Sequence, residues 1–124
     1  MNVIDSSAWL EYFANGPNAE AFKGAVEDIE RLVVPSVCIY EVFRRISKQR
    51  DERTALRRIS NLLQGRVVDL DAELALTAAR LGVEHGLPLA DSIVYATARA
   101  HGATLWTQDS DFEGLEDVRY VARA

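Results

Sequence analysis

Acidic residues at the ends of predicted strands and the beginnings of predicted helices are the side chains best placed to do chemistry. They are Asp5, Glu41, Asp91 and Asp109, with Asp111 two residues further on. Clustered carboxylates repel one another, which raises their pKa values, and a bound divalent cation removes that penalty. A cation held in this way lowers the pKa of a bound water and stabilises charge on a transferring phosphoryl group. These residue types therefore indicate metal-assisted hydrolysis of a phosphate ester.

Asp91 and Asp109 belong to one stretch whose pattern predicts a helix, a stop, a strand and an acidic loop. Pro88 suits a first helical turn because it lacks the N–H that would be unpaired there. Gly102 suits a left-handed helix stop, and the apolar run 103–107 has the length of a buried strand. Asp91 is thereby placed near the start of a helix and Asp109 just past the next strand. In an open parallel sheet these ends share the edge where ligands bind.

Asp5 and Glu41 each have a plain structural alternative. Asp5 follows the short strand predicted for residues 1–4 and precedes a helix-spaced apolar run, so it is also a good helix N-cap. Glu41 lies off the apolar stripe of its predicted helix, where an ion pair with Arg44 or Arg45 would contribute about 0.2–0.5 kcal/mol. The residues themselves leave these alternatives open.

The chain as a whole alternates strands and helices. Strands are predicted at residues 1–4, 32–34, 67–70, 103–107 and 118–121, and helices at residues 6–14, 18–31, 35–49, 52–64, 72–85 and 88–101. Asp71 and Gly86 are predicted to cap the fifth helix, which is rich in Ala and Leu and is expected to pack closely. This alternation predicts an α/β fold of three layers with a mostly parallel sheet, in a single domain covering residues 1–124.

Apolar residues at helical spacing predict which helix faces point inward. The predicted inward positions are Ala21, Phe22, Ala25, Val26 and Ile29 in the second helix, Ile39, Val42, Phe43 and Ile46 in the third, Leu56, Ile59, Leu62 and Leu63 in the fourth, and Ile93, Val94, Ala96, Thr97 and Ala100 in the sixth. On the fourth helix, Arg53, Arg57 and Arg58 are predicted to point outward.

Composition narrows the functional classes. A hydrophobic fraction of 48% and a charged fraction of 27% are those of an ordinary globular protein. No apolar run approaches the roughly 20 residues that span a bilayer. The first residues lack the basic region of a signal peptide, so a cytoplasmic protein without membrane association is expected.

The chain is poor in the residues that other hydrolytic and metal sites use. Cys38 is the only cysteine, which excludes an internal disulfide and a cysteine-based zinc site. His85 and His101 each precede a helix-ending glycine, so no Ser–His–Asp or Cys–His arrangement can be assembled from them. A Gly-rich phosphate loop is also missing. A metal site would consist of oxygen ligands, which favour Mg²⁺ or Mn²⁺ over Zn²⁺.

Basic residues are concentrated in one segment of an otherwise acidic chain. The net charge is −5, yet residues 44–58 contain seven basic and two acidic side chains. Arg outnumbers Lys twelve to two, and the guanidinium fork binds phosphate well. The segment is either a solvated helix face or a surface that binds nucleic-acid phosphates.

Four segments, taken together, resemble the PIN-domain ribonucleases of the VapC toxin type. They are VIDSSAWLEYF, PSVCIYEVFRR, LPLADSIVYATARAHG and LWTQDSDF, and they extend over nearly the whole chain. The first and third are the most specific for the family, and the segment containing Glu41 is the least specific. The resemblance implies a three-layer α/β/α PIN-like domain, a Mg²⁺- or Mn²⁺-dependent endoribonuclease, and the toxin half of a toxin–antitoxin pair.

The resemblance also implies roles and partners. At the positions that match the family's catalytic and metal-binding residues, the resemblance makes Asp5 and Asp91 the main metal ligands, with Glu41 and Asp109 completing the acidic pocket. Thr107 matches a polar residue that supports the pocket, and Asp111 could exchange roles with Asp109. RNA phosphates would bind Arg44, Arg45 and Lys48. The implied substrate is structured RNA, often tRNA or ribosomal RNA, and the implied partners are a small VapB-like antitoxin and a second copy of the chain.

Two other classes compete with this interpretation. A receiver-like signalling domain has a similar length and an acidic Mg²⁺ pocket, but it would need paired acids after the first strand and a lysine after a late strand. Here two serines follow Asp5, and the only lysines are Lys23 and Lys48. A non-catalytic, RNA-binding or scaffold PIN domain would be expected to lack some of the acids, whereas this chain keeps all four.

Overall fold

Five short strands form one parallel sheet at the centre of the molecule. The computed structural model describes all residues from Met1 to Ala124. Along the sheet the order is β3-β2-β1-β4-β5, and every neighbouring pair is parallel. The strands are β1 (Asn2–Ile4), β2 (Leu32–Pro35), β3 (Arg66–Val68), β4 (Thr104–Thr107) and β5 (Val118–Tyr120). The predicted strands all exist, and the sheet is parallel as expected.

Six helices flank the sheet and complete the predicted three-layer α/β/α architecture. They are α1 (Ser6–Phe13), α2 (Ala19–Glu27), α3 (Ser36–Gln49), α4 (Glu52–Leu62), α5 (Ala72–His85) and α6 (Leu89–Ala100). Single turns of 3-10 helix cover Ile29–Arg31 and Ser110–Phe112. None of the helices combines the length and the apolar character that crossing a membrane requires.

The order of the strands places a functional edge beside β1. The chain moves outward from β1 to β2 and β3, and α5 and α6 then return it to β4 on the other side of β1. The connections after β1 and β4 therefore diverge, and this reversal opens a crevice at the carboxyl ends of the strands. Asp5 follows β1 and Asp109 lies two residues beyond β4, so both predicted site residues stand at the crevice.

Helix ends follow the local signals in the sequence. The Asp71 side chain accepts a hydrogen bond from Leu74 N at 2.8 Å and caps α5, and Gly86 closes that helix with φ 67°. Gly102 also has a positive φ, of 59°, at the turn after α6. A side chain at either glycine would be strained, because L-residues rarely adopt this region. The predicted caps are thus confirmed.

The second predicted helix is shorter than its apolar pattern indicates. A continuous helix over residues 18–31 is wrong, because α2 ends at Glu27 and Asp28 adopts φ −84° and ψ 72°. Ala21 and Ile29, predicted to face inward, are exposed. Helical spacing alone does not reveal where a chain leaves the helix, and Asp competes for backbone hydrogen bonds outside helices.

Apolar residues on α4, α5 and α6 also depart from the prediction. Leu56 and Leu63 are 56% and 57% exposed rather than buried, while Ala55 is fully buried in their place. The expected close packing of α5 is limited to one face, where Ala78 joins Ile93 and Ala96 of α6 in a small core. Leu76 and Val83 on the other face of α5 are exposed. Ala100, predicted to face inward, lies outside the core, and Leu70, predicted to belong to the third strand, lies beyond β3.

Candidate active site and metal centre

One polar groove of about 950 Å³ opens at the carboxyl edge of the sheet. Its lining contains all four predicted acids and the three predicted RNA-binding side chains: Asp5, Glu41, Asp91, Asp109, Arg44, Arg45 and Lys48. The elements that bring them together are the loop after β1, helix α3, the start of α6 and the loop after β4. The groove therefore places acidic side chains next to basic ones. The acids suit a metal ion and the basic side chains suit a polyanion.

Asp5 is both a helix cap and a member of the site, so its two interpretations coexist. Its Oδ1 accepts hydrogen bonds from Ala8 N at 2.9 Å and Ser7 Oγ at 2.7 Å, and its Oδ2 accepts one from Thr107 Oγ at 2.6 Å. The side chain is almost completely buried, and burial raises its pKa to about 6 despite these donors, with a further contribution from the Asp109 charge. A carboxylate has about four lone-pair sites, so one remains for another ligand.

Three further carboxylates form a compact group that fits a cation. One oxygen from each of Asp91, Asp109 and Asp111 lies within 4.8 Å of the other two. Burial, the charge of Asp109 and the interaction with Asp111 raise the pKa of Asp91 to about 7. Three close oxygen donors, held at the cost of mutual repulsion, are the ligand set that hard divalent ions such as Mg²⁺ and Mn²⁺ prefer. Asp5 and Glu41 line the same groove but are not members of this group.

The loop after β4 fixes the positions of two of these acids. Asp109 Oδ1 accepts a hydrogen bond from Asp111 N at 3.0 Å, which is the local turn that Asp favours. Asp109 N in turn donates to Thr107 Oγ at 2.9 Å. Thr107 thus connects Asp5 to Asp109 through one hydroxyl, consistent with the supporting place predicted for it. Asp109 lines the groove and Asp111 is the more exposed of the two.

Glu41 has a different partner from the one that helix spacing indicates. Its Oε1 accepts a hydrogen bond from Ser6 Oγ at 2.6 Å, across 35 residues of sequence. The alternative of an ion pair with Arg44 or Arg45 is wrong, because neither guanidinium has a carboxylate within ion-pair distance. Ser6 therefore orients Glu41 towards the groove, and the arginines remain free to bind an anion.

Only one end of the basic segment belongs to the groove. Arg44, Arg45 and Lys48 line it, and none of them is engaged in an ion pair. The remaining arginines of the segment lie outside the lining. Arg58, predicted to point outward, is half-buried, with its guanidinium 5.5 Å from the centroid of the Phe13 ring.

Several polar residues of the site carry no clear signal in the sequence. Ser6 and Ser7 could have been noticed because they directly follow Asp5, and the structure shows that each hydroxyl holds an acid. Gln108 is buried beside them, and its Nε2 donates to Ser7 O at 3.4 Å. Arg123 also lines the groove. Arg123 is far in sequence from every other site residue, so its positive charge was the only feature that could have suggested a place in the site.

Replacing Thr107 by Val tests whether the buried hydroxyl holds the acids in place. The variant leaves Asp109 N and one Asp5 oxygen without a partner, so we expect a loss of about 1–3 kcal/mol in unfolding free energy. Urea unfolding in a buffer with a chelator measures this loss. Thr97→Val is the matched control, because Thr97 is equally buried but its hydroxyl donates to the helical carbonyl of Ile93. Equal losses in both variants would contradict the bridging role.

The comparisons with known proteins identify the family. The family model described as "PIN domain" matches residues 3–118. The chain belongs to the PIN-domain family. No curated protein sequence matches it. The family predicted from the four sequence segments is thus confirmed, and the receiver-like alternative is wrong.

Solved structures of toxins share the fold. A toxin–antitoxin complex from Klebsiella pneumoniae contains a chain with a TM-score of 0.81 and 22% identity, with 96% of each chain covered. VapC20 of Mycobacterium tuberculosis, described as a sarcin–ricin loop cleaving toxin, has a TM-score of 0.77 and 17% identity. The match covers 94% of this PIN domain and 95% of that chain. The FitAcB structure from Neisseria gonorrhoeae contains a chain with a TM-score of 0.76 and 21% identity. The match covers 99% of this PIN domain and 97% of that chain. The fold of this PIN domain is therefore that of VapC-like toxins.

Proposed function

We propose that this PIN domain is a metal-dependent endoribonuclease that cleaves structured RNA of the tRNA or ribosomal RNA class. The observation that carries the proposal is the group of three carboxylates within 4.8 Å of one another, because two of them, Asp91 and Asp109, line the groove together with Asp5 and Glu41. Unpaired basic side chains line the same groove. The fold shared with a toxin that cleaves the sarcin–ricin loop supports an RNA substrate.

The residues of this chain divide the work of phosphodiester hydrolysis. Asp91, Asp109 and Asp111 would hold a Mg²⁺ or Mn²⁺ ion, with Asp5 and Glu41 completing the acidic pocket. Such an ion, when bound, lowers the pKa of a water nucleophile and stabilises negative charge on the phosphoryl group. The products expected from attack by water are a 5′-phosphate and a 3′-hydroxyl.

Basic side chains of α3 supply the binding part of the reaction. Arg44, Arg45 and Lys48 bind the phosphates on one side of the acids and hold the scissile bond in place. Glu41 belongs to the same helix and accepts a hydrogen bond from Ser6, so one rigid element carries both an acid and the cations. Two arginines and a lysine without competing carboxylates lose no ion pair when RNA arrives.

We further propose that this nuclease is a cytoplasmic toxin neutralised by a small VapB-like antitoxin. The solved structures with this fold include complexes of toxins with antitoxins. Ile39 and Phe43 of α3, with the exposed ring of Tyr40, line a second, apolar groove that a partner segment would cover. Exposed Leu76 and Val83 on α5 offer a separate apolar surface for a second copy of the chain in a homodimer.

Incubation of the purified protein with total RNA tests the nuclease proposal. With Mg²⁺ or Mn²⁺ we expect discrete fragments of tRNA or ribosomal RNA, because the carboxylate group requires a cation to act on phosphate. Excess EDTA should abolish the fragments, and added metal should restore them. Sequencing of the new 5′ ends identifies the RNA and the cleaved bond. RNA that is bound but never cut under any metal condition would make the protein a non-catalytic PIN domain.

A further inference from the structure

Arg123 gives the groove a cation that comes from the far end of the chain. Arg44 and Arg45 belong to α3, which follows β2, whereas Arg123 follows β5. Because β2 and β5 lie on opposite sides of β1 in the sheet, the cations reach the groove from segments on the two sides of Asp5. Arg123 forms no ion pair, so its guanidinium is available to an anion.

Hydrogen bonds fix the segment that carries Arg123, although it lies outside any helix or strand. Val121 N donates to Thr107 O at 2.9 Å, which extends the pairing with β4. Asn18 Nδ2 donates to Ala122 O at 2.9 Å and also to Gln108 Oε1 at 3.0 Å. One side-chain amide thus connects the segment that carries Arg123 to the buried Gln108 of the site.

We propose that Arg123 is a phosphate-binding residue of the nuclease site and that Asn18 positions it. A guanidinium binds two oxygens of one phosphate, which gives orientation as well as charge. Cations from both sides of the acids hold the RNA backbone at two points, with the scissile phosphate between them. This inference rests on the proposed function, because it assigns a further contact with the RNA of that same site.

Arg123→Gln tests the contact through the salt dependence of RNA binding. The probe is a fluorescein-labelled RNA hairpin, titrated with protein in EDTA at several salt concentrations and followed by fluorescence anisotropy. Loss of one phosphate contact lowers the magnitude of the negative slope of log K against log salt by about 0.7–0.9, which weakens binding about 5- to 8-fold at 0.1 M salt if the affinities are equal at about 1 M. Arg119→Gln is the matched control, since Arg119 stands over the Trp106 ring outside the groove and should leave the slope unchanged.

Asn18→Ala tests the positioning role by a double-mutant comparison. Asn18 occupies the N-cap position of α2 without a side-chain capping bond, so Ala removes the two bonds of the amide and no helix cap. We expect Asn18→Ala to weaken hairpin binding in the wild-type background. In the Arg123→Gln background it should cause no further loss and no further change in slope. Thermal unfolding of each variant confirms that the fold is retained.

Different outcomes separate this inference from the proposed function. The double variant Arg44→Ala/Arg45→Ala serves as the benchmark for an RNA contact. If it weakens hairpin binding while Arg123→Gln binds like the wild type, the Arg123 contact is wrong and the proposed function stands. If Asn18→Ala weakens binding equally in both backgrounds, Asn18 does not position Arg123. If the wild type neither binds the hairpin nor cuts total RNA, the inference and the proposed function both fail.

Discussion

The Asp91→Asn variant is expected to lose metal-dependent RNA cleavage while keeping its fold. The Asp91 carboxylate is the only one of the compact group that comes from an α-helix, α6, whereas Asp109 and Asp111 belong to the short segment after β4. Asn keeps nearly the same shape but offers one neutral oxygen and removes a negative charge that a divalent ion needs. Loss of residues that merely support metal ligands costs 10–100-fold, so we expect a loss of at least about 100-fold in cleavage rate.

Cleavage of total RNA at saturating Mg²⁺ measures this loss, with initial rates compared to the wild type. Asp71→Asn is the matched control, because Asp71 is an exposed N-cap on α5 and does not line the groove. It should cut RNA at the wild-type rate. Removing the raised-pKa carboxylate should also leave Asp91→Asn at least as stable as the wild type in a chelating buffer. Wild-type cleavage rates in Asp91→Asn would contradict the assignment of the metal centre.

Local signals predicted most of the fold because they depend on a few neighbouring residues. The caps at Asp5 and Asp71 and the stop at Gly86 need only a side-chain oxygen or a missing Cβ at one position. Strand lengths and parallel pairing followed from short apolar runs separated by helices. Once the strand order places β1 between β2 and β4, acids that follow β1 and β4 must meet at one edge.

Contacts between distant segments were the part that the sequence could not predict. The spacing of Glu41 and Arg45 favours an ion pair, but the structure brings Ser6 to Glu41 across two elements. Leu56 on α4 and Leu63 just after it stay exposed, because packing against α3, rather than hydrophobicity alone, decides which face of α4 is buried. Arg123 reaches the groove only through the path of the last strand.

Asp5 and Asp51 are expected to respond to pH in opposite directions, although both are N-cap residues. Asp5 accepts a bond from Ala8 N at 2.9 Å and Asp51 accepts one from Thr54 N at 2.6 Å. Burial raises the pKa of Asp5 from 3.8 to about 6, whereas the Thr54 bonds lower the pKa of the exposed Asp51. Their local structures are alike, so the surroundings of each carboxylate decide whether its pKa is raised or lowered.

Whether each carboxyl's contribution to stability rises or falls with pH follows from comparing its pKa in the folded and unfolded states. A raised folded pKa means that the contribution of Asp5 to stability is fully present below pH 3.8 and is lost as the pH rises through about 6. The difference between these pKa values corresponds to about 3 kcal/mol between the protonated and ionised forms. A lowered folded pKa means that the contribution of Asp51 is present above pH 3.8 and is lost as the pH falls below that value.

Unfolding of Asp5→Asn in a chelating buffer is therefore expected to differ from the wild type in a pH-dependent way. Relative to the wild type, the variant should gain up to about 3 kcal/mol in unfolding free energy between pH 4 and pH 7.5, because the introduced amide cannot ionise. Asp51→Asn should instead lose stability relative to the wild type as the pH rises through 3.8. Urea unfolding at several pH values measures both trends. A pH-independent difference between Asp5→Asn and the wild type would contradict the raised pKa of the buried Asp5 carboxyl.

Mg²⁺ should oppose the loss of wild-type stability that accompanies ionisation of the site. We expect the ion to bind the folded state through ionised carboxylates, so its effect should be small at pH 5 and large at pH 7.5. A concentration of 100 times the dissociation constant adds about 2.7 kcal/mol to the free energy of unfolding. Asp91→Asn removes a member of the carboxylate group, so its stability at pH 7.5 should hardly respond to Mg²⁺. An equal response in the wild type and Asp91→Asn would place the ion elsewhere on the protein, because an ion held by Asp91 would bind less tightly once that carboxylate is neutralised.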